Sequence, residues 1–382
     1  MLSSRPIPNL TRRKLLLRAA ALGAITPALV ACSRNAGHQD IARDLRRPVT
    51  VNTGDRALLL RELVRYSTLA PSSHNTQCWK FHMQEDLITI KPDLLRRCPV
   101  VDPDDHHMFV SLGCAAENLA HAALANGLRA NPHFDAAGVG AVAISLERTK
   151  ALASPSFRAI TERQSTRGDY DGKPLSLEEL VLLEKAGNGD GVRVILLTER
   201  SAMETVLEYV VAGNATQMAD PAFVDELKSW IRFSESEAVS TGDGLFSGAS
   251  GNPAMPRWLG SRVMDLFFTP KSESERYARQ IRNSAGIAVF VSDISDKAHW
   301  VEAGRCYERF ALQATALGIR NAFLNQPVEV GAVRPRFAAA VGLPNLRPDL
   351  VVRLAAVRLS RCPCDGRSMP FSPEPVAHRI RE

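Results

Sequence analysis

The chain has 382 residues, 45% of them hydrophobic and 23% charged, enough to bury a large core in one big domain or two fused ones. Its formal charge is +6, but residues 1–31 hold five basic residues and no acidic one, so the rest carries +6 − 5 = +1. A near-neutral body with scattered arginines gives no electrostatic reason to expect nucleic acid, and no Walker loop or Gly-x-Ser-x-Gly elbow supports nucleotide hydrolysis or serine hydrolase chemistry.

At the amino end, Thr11-Arg12-Arg13-Lys14-Leu15-Leu16 precedes an apolar run from Ala19 to Ala31 and then Cys32. This matches a twin-arginine export signal followed by a lipobox, Leu29-Val30-Ala31-Cys32. The run is too short to span about 30 Å of hydrocarbon as a helix. Gly23 and Pro27 count against the competing reading, an amphipathic helix. Residues 32–54, polar and without apolar period, read as a tether.

Arg56 to Leu69 has apolar residues at helical spacing, with Asp55 as its cap. Pro71 then ends it, and Ala70 to Trp79 (Ala-Pro-Ser-Ser-His-Asn-Thr-Gln-Cys-Trp) form a rigid loop. Ser72, Ser73, Asn75 and Gln77 supply donors and acceptors to it, a set suited to the polar edge of a flat heterocycle. Phe81–Met83 and Leu87–Ile90 read as a hairpin around Glu85-Asp86. Short apolar strands follow at Val139–Leu146, Val192–Leu197, Ile287–Ser292 and Leu350–Val357, alternating with helices, which predicts a mixed sheet covered by helices.

Asp104-Asp105-His106-His107 could ligate a metal or, with Pro103, start a helix; adjacent histidines point different ways, which favours the helix. Gly113–Arg129 and Gly304–Arg320 align without gaps at an offset of 304 − 113 = 191, with 7 of 17 positions identical, including Glu117 with Glu308 and Gly127 with Gly318. Both copies read as alanine-rich helices ended by a left-handed glycine, with Cys114 and Cys306 as buried packing residues. In the segment after Thr161, Arg163, Ser165 and Arg167 alternate, so an extended backbone would turn two guanidinium forks and a hydroxyl to one side, as a phosphate grip requires. Between Trp230 and Pro270 periodicity breaks down; Leu245, Phe246, Met255, Pro256 and Trp258 look exposed there, which suits a lid or a surface loop. Cys362-Pro363-Cys364 is too tightly spaced for an unstrained disulfide.

The Ala70 loop resembles the Ala-Pro-Ser-x-x-Asn-x-Gln-Pro-Trp signature of the nitroreductase family, with Cys78 in place of proline. The Arg163 segment resembles the family's Arg-Arg-Ser-x-Arg-x-Phe motif, with Gln164 and Tyr170 as departures. In an ordinary nitroreductase the second motif precedes the first; here it follows, so the chain is similar to the Acg-type branch, in which two nitroreductase-like halves are fused. Phe323 to Glu329 and the Trp230–Pro256 stretch share in that likeness. The resemblance implies an α+β fold with a mixed sheet flanked by helices, a pseudo-dimer of halves 55–150 and 151–382, and a lid at about 230–270. It implies FMN, with Arg163, Ser165 and Arg167 on the phosphate, Ser72, Ser73, Asn75 and Gln77 on the ring, and Arg353 as a further phosphate contact. It also implies Cys32 as the lipidated first residue of an exported, membrane-anchored monomer. Two functions are left open: an FMN oxidoreductase passing electrons from a small donor to a nitro compound or quinone, and a flavin-sequestering protein with little turnover.

Overall fold

The computed structural model describes residues 37–49, 55–250 and 252–356; the twin-arginine stretch, Cys32, Cys362 and Cys364 lie outside the described residues. After helix α1 (His38–Leu45) comes α2 (Arg56–Ser67), where the Asp55 side chain accepts the Leu58 N–H as expected of a cap. Strands β1 (Trp79–Met83) and β2 (Leu87–Pro92) form the expected hairpin, with Phe81 opposite Ile90. Helix α3 (His106–Ala125), β3 (Leu128–Asp135) and β4 (Ala141–Arg148) complete a four-stranded antiparallel sheet in the order β1-β2-β4-β3.

The remainder runs α4 (Pro155–Ala159), α5 (Leu177–Gly187), β5 (Val192–Leu197), α6 (Arg200–Ala219), α7 (Pro221–Trp230), β6 (Ile231–Arg232), α8 (Glu235–Thr241), β7 (Leu245–Phe246), α9 (Arg257–Phe267) and α10 (Pro270–Arg282). It closes with β8 (Gly286–Ser292), α11 (Lys297–Ala316), β9 (Ile319–Phe323), α12 (Gln326–Glu329), α13 (Arg334–Ala340) and β10 (Pro348–Ala356). The second sheet has the order β5-β8-β10-β9, again all antiparallel. Both sheets therefore follow one plan: two strands, a long helix, two strands, in the same spatial order. The second copy adds α6 to α10 between its first two strands and α12 to α13 between its last two. The fold is α+β, and its strands divide into two sheets where the sequence suggests one mixed sheet. Parallel pairing among the described residues is confined to β6 with β7 and a bridge from Ser165 to Asn321.

The two repeat helices cross face to face. A Cβ on Gly113 would lie 1.9 Å from the Val301 carbonyl oxygen, and one on Gly304 would lie 1.9 Å from the Val110 carbonyl oxygen. The residues correspond at the repeat offset, since 301 − 110 = 304 − 113 = 191, so the contact is reciprocal in the manner of an isologous dimer interface. Only glycine lets the two backbones approach so closely. Both helices end at a left-handed glycine, Gly127 with φ +76° and Gly318 with φ +75°. Cys114 and Cys306 are buried beside the crossing, and the main core runs continuously from Leu63, Ile88 and Leu112 to Tyr307, Phe310 and Val352. A second core, built from Val206, Val210, Ile287, Val289, Val291 and Phe337, fills the other face of the second sheet. That leaves β8 buried along its whole length.

Two stretches are more ordered than their composition suggests. His38–Leu45, within the expected tether, is a helix burying His38, Ala42 and Leu45; the His38 N–H donates to Glu235 Oε1 at 2.7 Å and its ring lies 4.9 Å from Phe246. The Trp230–Pro270 stretch holds α8, capped by Ser234 and ended by Gly242 at φ +63°, and α9. Phe246 is buried, whereas Trp258 is 67% exposed. Serine and glycine act here as helix starts and stops rather than as markers of irregular chain.

Candidate functional site

The Ala70–Trp79 loop is a strained elbow. His74, Asn75 and Gln77 all take positive φ (47°, 52° and 50°), a conformation uncommon outside glycine and costly enough to mark functional segments. Local bonds hold it: Asn75 N–H to the Ser72 carbonyl, Thr76 N–H to the Ser73 carbonyl, and Gln77 N–H to Ser72 Oγ at 2.9 Å. Cys78 is buried, and burial pushes its thiol up to about 12.

The elbow is clasped by the turn after α8. Asn75 Nδ2 donates to the Gly244 carbonyl (2.9 Å), Gln77 Nε2 donates to the Gly242 carbonyl (2.8 Å), and the Gly244 N–H donates back to the Asn75 carbonyl (2.9 Å). Between these glycines, Asp243 sits between Arg96 Nη1 (2.7 Å) and Arg232 Nη2 (2.6 Å). Burial pushes its carboxyl up, but the two guanidiniums outweigh that and hold it below its ordinary value. Arg96 also donates to the Thr76 carbonyl at 2.6 Å. This clasp is invisible to motif reading. Its one signal is Gly242-Asp243-Gly244, a turn with both glycines at positive φ.

The basic segment meets the elbow from the other side, but its arginines divide the work. Arg163 is 5% exposed and turned inward: Nη2 donates to the Leu69 carbonyl at 2.8 Å and Nε lies 3.1 Å from Glu308 Oε1. Arg353, expected on the phosphate, is 1% exposed and donates to the Thr166 and Gly168 carbonyls (3.1 and 2.7 Å), with its guanidinium 4.0 Å over the Tyr170 ring. A guanidinium so enclosed, with its donors on carbonyls, frames the segment rather than meeting a ligand. Ser165 bridges to Asn321, keeping the backbone extended as the alternate spacing requires, and Arg46 Nη1 donates to the Thr161 and Arg163 carbonyls. Arg167 is exposed, and its charge bears on His74: burial first, then Arg167 and His107, hold that imidazole down to about 4. The motifs, far apart in sequence, are joined by the hydrogen bond from Arg163 to the Leu69 carbonyl.

The amino end of α3 closes the group. Asp102, His106 and His107 bring ligand atoms within 4.8 Å of one another, yet the Asp102 carboxylate accepts the His107 and Met108 N–H groups (3.1 and 3.0 Å). His106 Nε2 lies 2.8 Å from Asp349 Oδ1, and Asp349 Oδ2 accepts from Ser292 at 2.7 Å. Helix start therefore describes this cluster, with Asp102 as the capping acid; Asp104 and Asp105 instead pair with Arg347 and Arg97. His107 Nδ1 is 3.8 Å from Glu329 Oε1, whose other oxygen accepts from Gln217 Nε2, and burial raises the Glu329 carboxyl. His74, His107 and Glu329 are titratable neighbours that reading for motifs passes over.

No family model matches the chain. It is 23% identical over 330 residues, 82% of its own length and 90% of the relative's, to a Mycobacterium tuberculosis H37Rv protein carrying the provisional name NAD(P)H nitroreductase Rv3131; its CDC 1551 counterpart, MT3217, matches equally. Solved structures that align with part of the chain include an FMN-bound nitroreductase from Desulfitobacterium hafniense DCB-2 (19% identity, 56% of this chain and 94% of that one, TM-score 0.34). Another is the FMN-dependent nitroreductase NfnB from Mycobacterium smegmatis in complex with NADPH (14% identity, 53% and 88%, TM-score 0.37). Over most of its length the chain is thus similar in sequence to proteins provisionally named nitroreductases.

Proposed function

We propose that the chain is an exported FMN oxidoreductase, anchored through Cys32, that passes electrons from a small donor to a small acceptor such as a nitro compound or quinone. The reading rests above all on the meeting of the two motifs, where Arg163 is tied to the Leu69 carbonyl at the start of the elbow. The donor set suits the cofactor. Arg167 and Ser165 would hold the phosphate, with Arg163 and Arg353 fixing the segment behind them. Ser72, Ser73, Asn75 and Gln77 would line the polar edge of the ring and stabilise charge building there. FMN, when bound, supplies the electron chemistry, so no side chain has to act as general base. The relatives' name points to reduced nicotinamide as donor. Outside the cytoplasmic membrane that donor is not expected, so a quinol or redox protein fits the export signal better.

The visible spectrum of the folded, exported protein tests this. It should be yellow and release FMN on denaturation, and Arg167→Ala should weaken FMN binding tenfold to a hundredfold, the loss of one charge-assisted contact. Colourless protein that takes up no added FMN rejects the reading. The clasp on Asn75 and Gln77 favours a second one, a flavin-holding protein whose lid limits substrate access. Stopped-flow reduction by quinols or NAD(P)H, with reoxidation by a nitroaromatic, separates the two: turnover that rises in Asp243→Asn marks an oxidoreductase gated by the clasp, while a bound flavin inert in both proteins marks storage.

A further inference from the structure

Helix α9 is the least embedded element of the 230–270 insertion. Gly260, against the Phe233 ring, is its buried residue; Trp258 is 67% exposed and Leu266 72%, and Leu259 and Phe267 are exposed as well. At helical spacing Leu266, Leu259, Val263 and Phe267 fall within one arc of about 100°, with Arg262 about 40° and Trp258 about 80° beyond Leu266. Arg257 fastens the helix from behind, pairing with Glu237 of α8 and donating to the Ile231 carbonyl at 2.7 Å, while the Met255 N–H donates to the Phe233 carbonyl. Leu259, Leu266 and Phe267 of this arc are thus exposed over a fixed base, with Val263 half-buried between them. Single exposed apolar residues are ordinary, but four on one short helix are a surface in search of a partner.

We infer that α9 docks on an anionic lipid bilayer, lying in its interfacial plane. The composition fits: leucine, phenylalanine and tryptophan are exposed, two exposed basic residues (Arg262, Lys271) lie beside them, and Asp265 is paired with Lys228. The course of the chain fits as well. It enters the insertion at His38, bonded to Glu235 of the same α8 that holds Arg257, and Cys32 lies six residues before His38, a span of at most about 20 Å. A lipid on Cys32 would therefore tether the bilayer to the insertion that carries α9 and raise the effective concentration of the helix at the membrane surface. A second copy is the weaker occupant, because four side chains fall well short of the roughly 800 Å² per partner of a stable interface.

The inference leans on the anchored reading of Cys32 but not on flavin binding, and the test keeps these apart. Full-length protein is mixed with vesicles of phosphatidylcholine and phosphatidylglycerol carrying brominated acyl chains, and tryptophan quenching is followed. Trp79 and Trp300 are buried and Trp230 is half-buried against Cys98 and Val101, so most of the quenching should come from Trp258 and be lost in Trp258→Phe. The double substitution Leu266→Glu with Phe267→Glu should cut quenching about tenfold while circular dichroism stays unchanged. Quenching that persists in Cys32→Ser supports docking even where lipidation fails. Quenching indifferent to Trp258→Phe, or no quenching at all, overturns the inference, as does a concentration-dependent dimer that the double substitution abolishes in the absence of lipid.

Discussion

Glu308 has no exposed surface, and Arg163 is its charged partner. Burial pushes its carboxyl up to about 7, against the pull of Arg163. A carboxyl raised on folding binds its proton more tightly in the folded state, so it disfavours folding as pH climbs from its ordinary 4.5, with the full cost reached above about 7. Glu308→Gln, which cannot ionise, should therefore gain on the parent by on the order of 3 kcal/mol between pH 4.5 and 8. Urea midpoints across that range check it; parallel curves for the two proteins would mean that the carboxyl titrates normally. The same enclosure decides which way Arg163 and Arg353 face. Alternate spacing says which residues share a side of an extended segment, but not which side meets the core. Glu308 and the carbonyls of Leu69, Thr166 and Gly168 come from other elements, and they decide that two of the arginines face inward.

The crossing of α3 and α11 puts glycine at two equivalent positions, with a backbone carbonyl 1.9 Å from each missing Cβ. A carbonyl cannot turn aside as a long side chain can, so an added methyl must separate the helices and open the core around them. Gly113→Ala and Gly304→Ala should each cost about 3 kcal/mol or more, near the upper end for overpacking, and by similar amounts because the contacts are reciprocal. Thermal melts of the two variants test both the size and the equality; one silent variant would break the symmetry argument. The helices and their glycine stops are legible in sequence because they rest on local periodicity and local backbone conformation. Helices α8 and α9 were read as irregular because short helices framed by serine and glycine carry little periodic signal, and their order comes from the clasp, α1 and Arg257.

As a molecule, the chain satisfies within itself the face that the two halves present to each other, with a continuous core across α3 and α11. Light scattering should therefore give a monomer, near 41.7 kDa for the whole chain and less once a signal is removed. A stable dimer at micromolar concentration would show that the internal pairing leaves a second face unsatisfied. The sequence by itself determined the α+β class, the hairpin, the repeat and the elbow with its polar residues, because these depend on neighbours along the chain and on patterns that recur within it. Tertiary structure alone decided that the elbow and the basic segment meet, that Arg163 and Arg353 face inward, and that Gly242 to Gly244 close over Asn75 and Gln77. Those outcomes turn on contacts between residues far apart in the chain, where burial and competition for hydrogen-bond partners, rather than residue type, assign each side chain its task.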